Sequence, residues 1–180
     1  GMATDQDLTP TEGQLTYNYD QDAWLLGMAG DEVRSIDEDW WVCKNQTGST
    51  IAAGVPVYAS GTVGNSGRKL IAPMIADGTI NARYFLGVTA HSISNGADGI
   101  VMDRGTIKGI NTSSFTDGDV LWVDQATAGT FTATEPSSGQ KIAAGFVISA
   151  ASNGIMAVRN LGEESAGGGG GGNAFGLIAV

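Results

Sequence analysis

Short apolar runs alternate with turn-forming residues along most of the chain. The segment from Gly99 to Asp124, GIVMDRGTIKGINTSSFTDGDVLWVD, is cut by glycine every four to nine residues. Gly99, Gly105, Gly109 and Gly118 are expected to supply the positive φ angles that turns and bulges need. Val120 to Val123 is apolar on both faces, the pattern of a strand in the middle of a sandwich or barrel. Upstream, Leu15, Tyr17 and Tyr19 alternate with Thr16 and Asn18. A turn over Tyr19 to Asp22 and an apolar return over Ala23 to Met28 complete a hairpin signal. The window Asp31 to Thr47 lacks glycine and proline, and Val33, Ile36 and Trp40 fit about two helical turns. The β-favouring Trp40-Trp41-Val42-Cys43 instead predicts a strand from Trp40 to Lys44, leaving Asp31 to Asp39 open between helix and strand.

Further strands are predicted at Thr50–Ile51, Pro56–Ser60, Lys69–Ala72, Tyr84–Ala90, Ile100–Arg104, Thr106–Ile110, Val120–Asp124, Thr130–Thr134, Ile142–Ser149 and Ile155–Asn160. Spacings of roughly 8 to 12 residues with turn chemistry between them indicate an all-β fold, a compact sandwich or barrel with a β-hairpin N-terminal extension. Residues 1–13 read as a flexible arm, 14–41 as the strand extension with oligomer-forming potential, and 42–162 as the sandwich or barrel domain. Residues 163–172, with glycine from Gly167 to Gly172, read as a linker of about 13 Å rms reach. The closing NAFGLIAV, residues 173–180, reads as the start of a further strand module; docking on this domain or pairing with another chain are the alternatives. Gly1 ahead of Met2 reads as a remnant of tag removal.

Glycine makes up 28 of 180 residues and charged residues only 16%, so the surface is polar through Thr, Ser, Asn and backbone. The net charge of -10 is concentrated at the N-terminus: residues 1 to 40 hold ten acids and one base, the rest nine acids and eight bases. Phosphates reward a basic face that is missing here, so nucleic acid is not an expected partner. The acidic start lacks the basic and apolar regions of a signal peptide, and no apolar stretch approaches ~20 residues, so membrane insertion is not expected. The single cysteine, Cys43, lies in an apolar run and reads as a buried, inert thiol.

Candidate chemistry is sparse. His91, the only histidine, has no ligand-type residue at metal spacing. Asp117, Asp119, Asp124 and Asp98 lack the closing bidentate Glu of a calcium loop, and turn capping accounts for the Asp117-Gly118-Asp119 pattern. GTVGNSG, Gly61 to Gly67, lacks the Gly-Lys-Ser/Thr ending of a phosphate loop and reads as a hairpin loop. Asp103 and Asp124 form the available carboxylate pair for glycoside hydrolysis, with Trp122 beside them set in apolar sequence. No enzymatic activity, cofactor or metal is expected.

Across Val42 to Asn160 the chain resembles a β-domain of tailed-bacteriophage virion proteins. The pieces that carry the resemblance are NQTGSTIAAGVPVYASG (Asn45 to Gly61), FLGVTAHSISNGADGIVMDRGTIKGINTSSF (Phe85 to Phe115), DGDVLWVDQATAGTFTATEP (Asp117 to Pro136) and IAAGFVISAASNGIMAVRN (Ile142 to Asn160). GQLTYNYDQDAWLLGMAG, Gly13 to Gly30, is similar to the strand pair that precedes this domain in phage fibre proteins. The resemblance implies a non-enzymatic structural protein located in the virion and assembled in the host cytoplasm. The implied role is the N-terminal anchoring part of a fibre or spike for host attachment. A capsid decoration protein that stabilises the head is the alternative, and a carbohydrate-binding or depolymerase domain a third. The implied partners are the chain itself as a homotrimer, other virion proteins, and a host surface glycan or receptor reached through distal modules. The motifs are made of turns and core residues, so no binding residue carries over. Tyr17, Tyr19, Trp24, Trp40 and Trp41 crowd the acidic N-terminal region and are the candidate oligomer interface; a satellite core is the equal alternative.

Overall fold

The computed structural model describes residues 10–18, 23–28, 33–35, 38–159 and 163–165. It is an all-β protein. Strands β1 (Leu15–Asn18), β2 (Ala23–Gly27) and β3 (Val33–Ser35) form a small antiparallel sheet in the order given. β3 falls inside Asp31 to Asp39, the segment whose sequence is open between helix and strand. Pro10 is buried and the Gly13 N–H donates to the Gly27 carbonyl, so the end of the expected arm is folded against β2. Residues 1–9, residues 19–22 where a turn is expected, and the segment 166–180 lie outside the described residues.

The larger sheet contains β4 (Asp39–Asn45), β5 (Pro56–Thr62), β6 (Lys69–Pro73), β7 (Phe85–Thr89) and β8 (Asp98–Ile110), followed by β9 (Val120–Val123), β10 (Phe131–Thr132), β11 (Gln140–Ser149), β12 (Gly154–Arg159) and β13 (Glu163–Ser165). The neighbours β8, β4, β6, β5 and β7 run in that order, and β7 pairs back onto β8, closing a five-strand barrel. The barrel begins at Asp39, three residues before the expected boundary. Within it β4 and β6 are parallel, and the other neighbours are antiparallel. Beyond β8 the sheet continues through β12, β11, β9 and β10. β13, at the expected start of the linker, pairs with Gln140–Ile142 of β11.

Two predicted strands, Ile100–Arg104 and Thr106–Ile110, are one, because β8 runs on through Gly105. Its φ of +146° is strained for any side chain, and a Cβ there would strike the Glu38 side chain. Glu38 Oε1 accepts the Thr106 N–H at 2.8 Å. Residues 98–104 of β8 pair with β4 and residues 104–110 with β12, so one strand serves both barrel and outer sheet. Gly109 and Gly118 also have positive φ, as expected; Gly99 does not, and its missing Cβ makes room for Ile93 instead.

This division produces two cores. Cys43, Val57, Ile71 and Val101, from four barrel strands, pack with Ile51 and Ile93. On the fifth strand, the register sets Thr89 opposite Val101. The larger core joins Val88 and Met102 of the barrel to Leu121, Val123, Ile142, Ala144, Val147, Met156 and Val158 of the outer sheet. Buried polar side chains fasten the loops over these cores. Asn45 donates through Nδ2 to the Ser49 and Ile93 carbonyls at 2.8 and 2.7 Å, and its Oδ1 accepts the Thr47 N–H and hydroxyl at 3.0 and 2.8 Å. The Thr89 hydroxyl donates to the Ala52 carbonyl at 2.6 Å and accepts the Val55 N–H at 3.0 Å.

Candidate interaction surfaces

Alternation sorts the outer sheet into a covered and an open face. Leu121, Val123, Ala144, Val147, Met156 and Val158 turn into the larger core. On the other face Val120 and Phe146 are cross-strand partners, and Phe146 is also opposite Ala157 on β12. Val120, Phe146 and Ile148 are 41, 41 and 44% exposed, while Trp122, Ile155 and Ala157 are half-buried. The sequence pattern places Val120 to Val123 in the middle of a sandwich or barrel. In the folded chain one face of that strand is uncovered, and Trp122 is not fully buried. Lys108, opposite Ile155 on β8, is exposed beside this face, giving an apolar centre with a polar neighbour.

Four of the five aromatic residues expected at an interface are divided between the small sheet and β4. Tyr17 and Trp24 are register partners in the small sheet, with rings edge to face at 5.4 Å, and Trp24 is 46% exposed. Trp40 and Trp41 are successive residues of β4, so they project to opposite faces of that strand. Trp41 is 42% exposed, with the Lys69 ammonium 3.7 Å from its ring centroid. Tyr19 lies outside the described residues.

A groove of about 430 Å³ opens beside β5, where the β5–β7 pairing ends at Tyr58 and Phe85. Tyr58, Ser60, Thr79, Ile80, Asn81 and Tyr84 line it. A 3-10 turn, Ala82–Tyr84, carries Tyr84 into the wall, and Asn81 caps that turn by accepting the Arg83 N–H at 2.9 Å. Asp77 braces Thr79 by accepting its N–H and hydroxyl at 2.9 and 2.6 Å. Those two bonds hold the exposed Asp77 carboxyl below its ordinary pKa.

Four of the five candidate acids occupy structural positions. Asp117 accepts the Ala150 N–H at 2.6 Å and Asp119 the Thr116 N–H at 2.8 Å, so both fasten turns. Asp124 accepts the Ala126 N–H and the Thr130 hydroxyl. Asp98 forms ion pairs with Lys44 and Arg68. Among the described residues no group of three or more His, Cys, Asp or Glu side chains could hold a metal ion. His91 accepts the Ile100 N–H through Nε2 at 3.1 Å, with Nδ1 3.0 Å from the Ser92 carbonyl oxygen. Cys43 is fully buried, and desolvation pushes its thiol up to about 11 although Lys69 and Arg68 act in the other direction.

Sequence reasoning did not single out Phe146 and Ile148 or the Tyr58–Tyr84 groove. Phe146 and Ile148 had a visible signal: AAGFVIS is apolar at both odd and even positions, more than one covered face requires. The groove had none, because Tyr58 and Tyr84 are separated by 26 positions and meet through the barrel's closure. No protein-family model matches the chain, and no curated protein matches it at a significant level. Among the described residues no helix is long and apolar enough to cross a membrane.

Proposed function

We propose that this chain is a non-enzymatic structural protein of a tailed-phage particle, the N-terminal anchoring part of a fibre or spike, working as a homotrimer. The observation that carries this reading is the uncovered apolar face of the outer sheet, centred on Phe146. Side chains of this kind gain roughly 25 cal/mol for each Å² of apolar surface removed from water, so a second copy of the chain gives the face a partner. Asp117, Asp119 and Asp124 fasten turns and Asp98 forms ion pairs, which fits a building element better than an active site. The resemblance of Val42 to Asn160 to virion β-domains supplies the setting.

Quantitative mass spectrometry of purified particles from the phage that encodes the chain tests the reading. A few trimers per particle are expected for a fibre. Hundreds of copies would replace the fibre role by capsid decoration, and absence from particles would overturn both.

A further inference from the structure

We propose that the groove between β5 and the 3-10 turn binds a neutral saccharide, a recognition function carried by this domain itself. The lining matches that ligand chemically. Tyr84 is 58% exposed, and Tyr58 is half-buried against the larger core, which immobilises it. An aromatic face takes the C–H side of a pyranose, while a phenolic hydroxyl serves its polar edge. The polar lining consists of Ser60, Thr79 and Asn81, all uncharged, in a chain whose net charge is -10. Sugar hydroxyls need neutral donors and acceptors of this type, whereas a phosphate or a cation needs opposing charge.

The donors and acceptors are fixed before a ligand arrives. Asn81 Oδ1 is engaged by Arg83, which orients the amide so that Nδ2 is the group left to donate. The Thr79 hydroxyl donates to Asp77, which leaves its lone pairs to accept. Beyond Tyr58 the β7-side flank of Ala59 to Gly61 has no strand partner among the described residues, adding backbone groups along the groove. The volume of about 430 Å³ lies within the roughly 300 to 1,000 Å³ of small-molecule sites. The open flank also suits an extended peptide, but the two rings and the neutral hydroxyl and amide lining favour a sugar.

Two-dimensional amide NMR of the whole protein tests this, using the methyl glycosides of glucose, galactose, mannose, N-acetylglucosamine, rhamnose and fucose, with the hexapeptide Thr-Val-Thr-Val-Thr-Val in parallel. At least one glycoside at 20 mM is expected to shift amides confined to residues 58–61 and 79–84. Tyr84→Ala, at an exposed position, should weaken that binding by about tenfold or more with an unchanged melting temperature, and Tyr84→Trp should restore it. No shift with any glycoside, shifts elsewhere, full affinity in Tyr84→Ala, or shifts with the peptide alone would overturn the proposal.

Discussion

Asn45 is fully buried on a barrel strand, and its amide joins the turn at Thr47 to Ser49 with Ile93. Asn45→Ala removes four hydrogen bonds at once. The Ile93 carbonyl keeps the Ile51 N–H and the Ser49 carbonyl keeps the Thr47 hydroxyl, so neither is left wholly unpaired. Thr47 is exposed, so the lost bonds and the emptied side-chain space, rather than a stranded N–H, carry the penalty. At roughly 0.5 to 1 kcal/mol for each of the four net bonds, the expected loss is about 2 to 4 kcal/mol. Asn45→Asp is more severe at neutral pH, because an ionised oxygen then faces two carbonyl oxygens that Nδ2 now meets at 2.8 and 2.7 Å. That environment raises the introduced carboxyl's folded pKa above its unfolded value of about 3.9. The variant's deficit relative to the native chain should therefore be smallest near pH 4 and grow as pH rises toward 7. Guanidinium unfolding followed by tryptophan fluorescence, with native and variant compared at each pH, gives both quantities. A loss below about 1 kcal/mol for Asn45→Ala, or a deficit for Asn45→Asp that is equal at pH 4 and pH 7, would refute the reasoning.

The Cys43 thiol ionises near 9 when exposed and near 11 in the fold. Its contribution is present below pH 9 and lost as pH rises from 9 to 11, about 2 to 3 kcal/mol in all. Unfolding curves at pH 8 and pH 10.5 should show a steeper alkaline decline in the native chain than in Cys43→Ala, and a thiol reagent at pH 8 should label only unfolded molecules. Gly145 has a φ of +155°, and a Cβ there would overlap the Ala157 carbonyl oxygen between β11 and β12. Gly145→Ala should lose about 2 to 4 kcal/mol by denaturant titration, whereas Gly118→Ala, in an open turn with nothing within 4 Å, should lose only about 1.

The sequence announced its strands well and their partners poorly. Pro56–Ser60 and Lys69–Ala72 were bounded by turn residues and fall within β5 and β6, joined by the hairpin loop read in GTVGNSG. Alternation is local, so it survives without tertiary information. Closure of the barrel depends on β7 pairing with two residues of β8, Met102 and Val101, which no local pattern encodes. Gly105 has the expected positive φ yet does not divide Ile100–Arg104 from Thr106–Ile110: the strand runs on through it, with Glu38 accepting the Thr106 N–H. Thr50–Ile51 was predicted as a strand and contributes a single bridge, Ile51 to Ile93. The aromatic count near the N-terminus drew attention to Trp40 and Trp41, while the open face gathered from β9, β11 and β12 was visible only once their register was known.

The self-association at the centre of this account is measured most directly by light scattering during gel filtration at low micromolar concentration. The native chain is expected at about 55 kDa, three times its 18.4 kDa. The double variant Phe146→Asp with Ile148→Asp is expected at the monomer mass with its circular dichroism unchanged. A native chain that elutes as a monomer, or a double variant that remains a trimer, would contradict it.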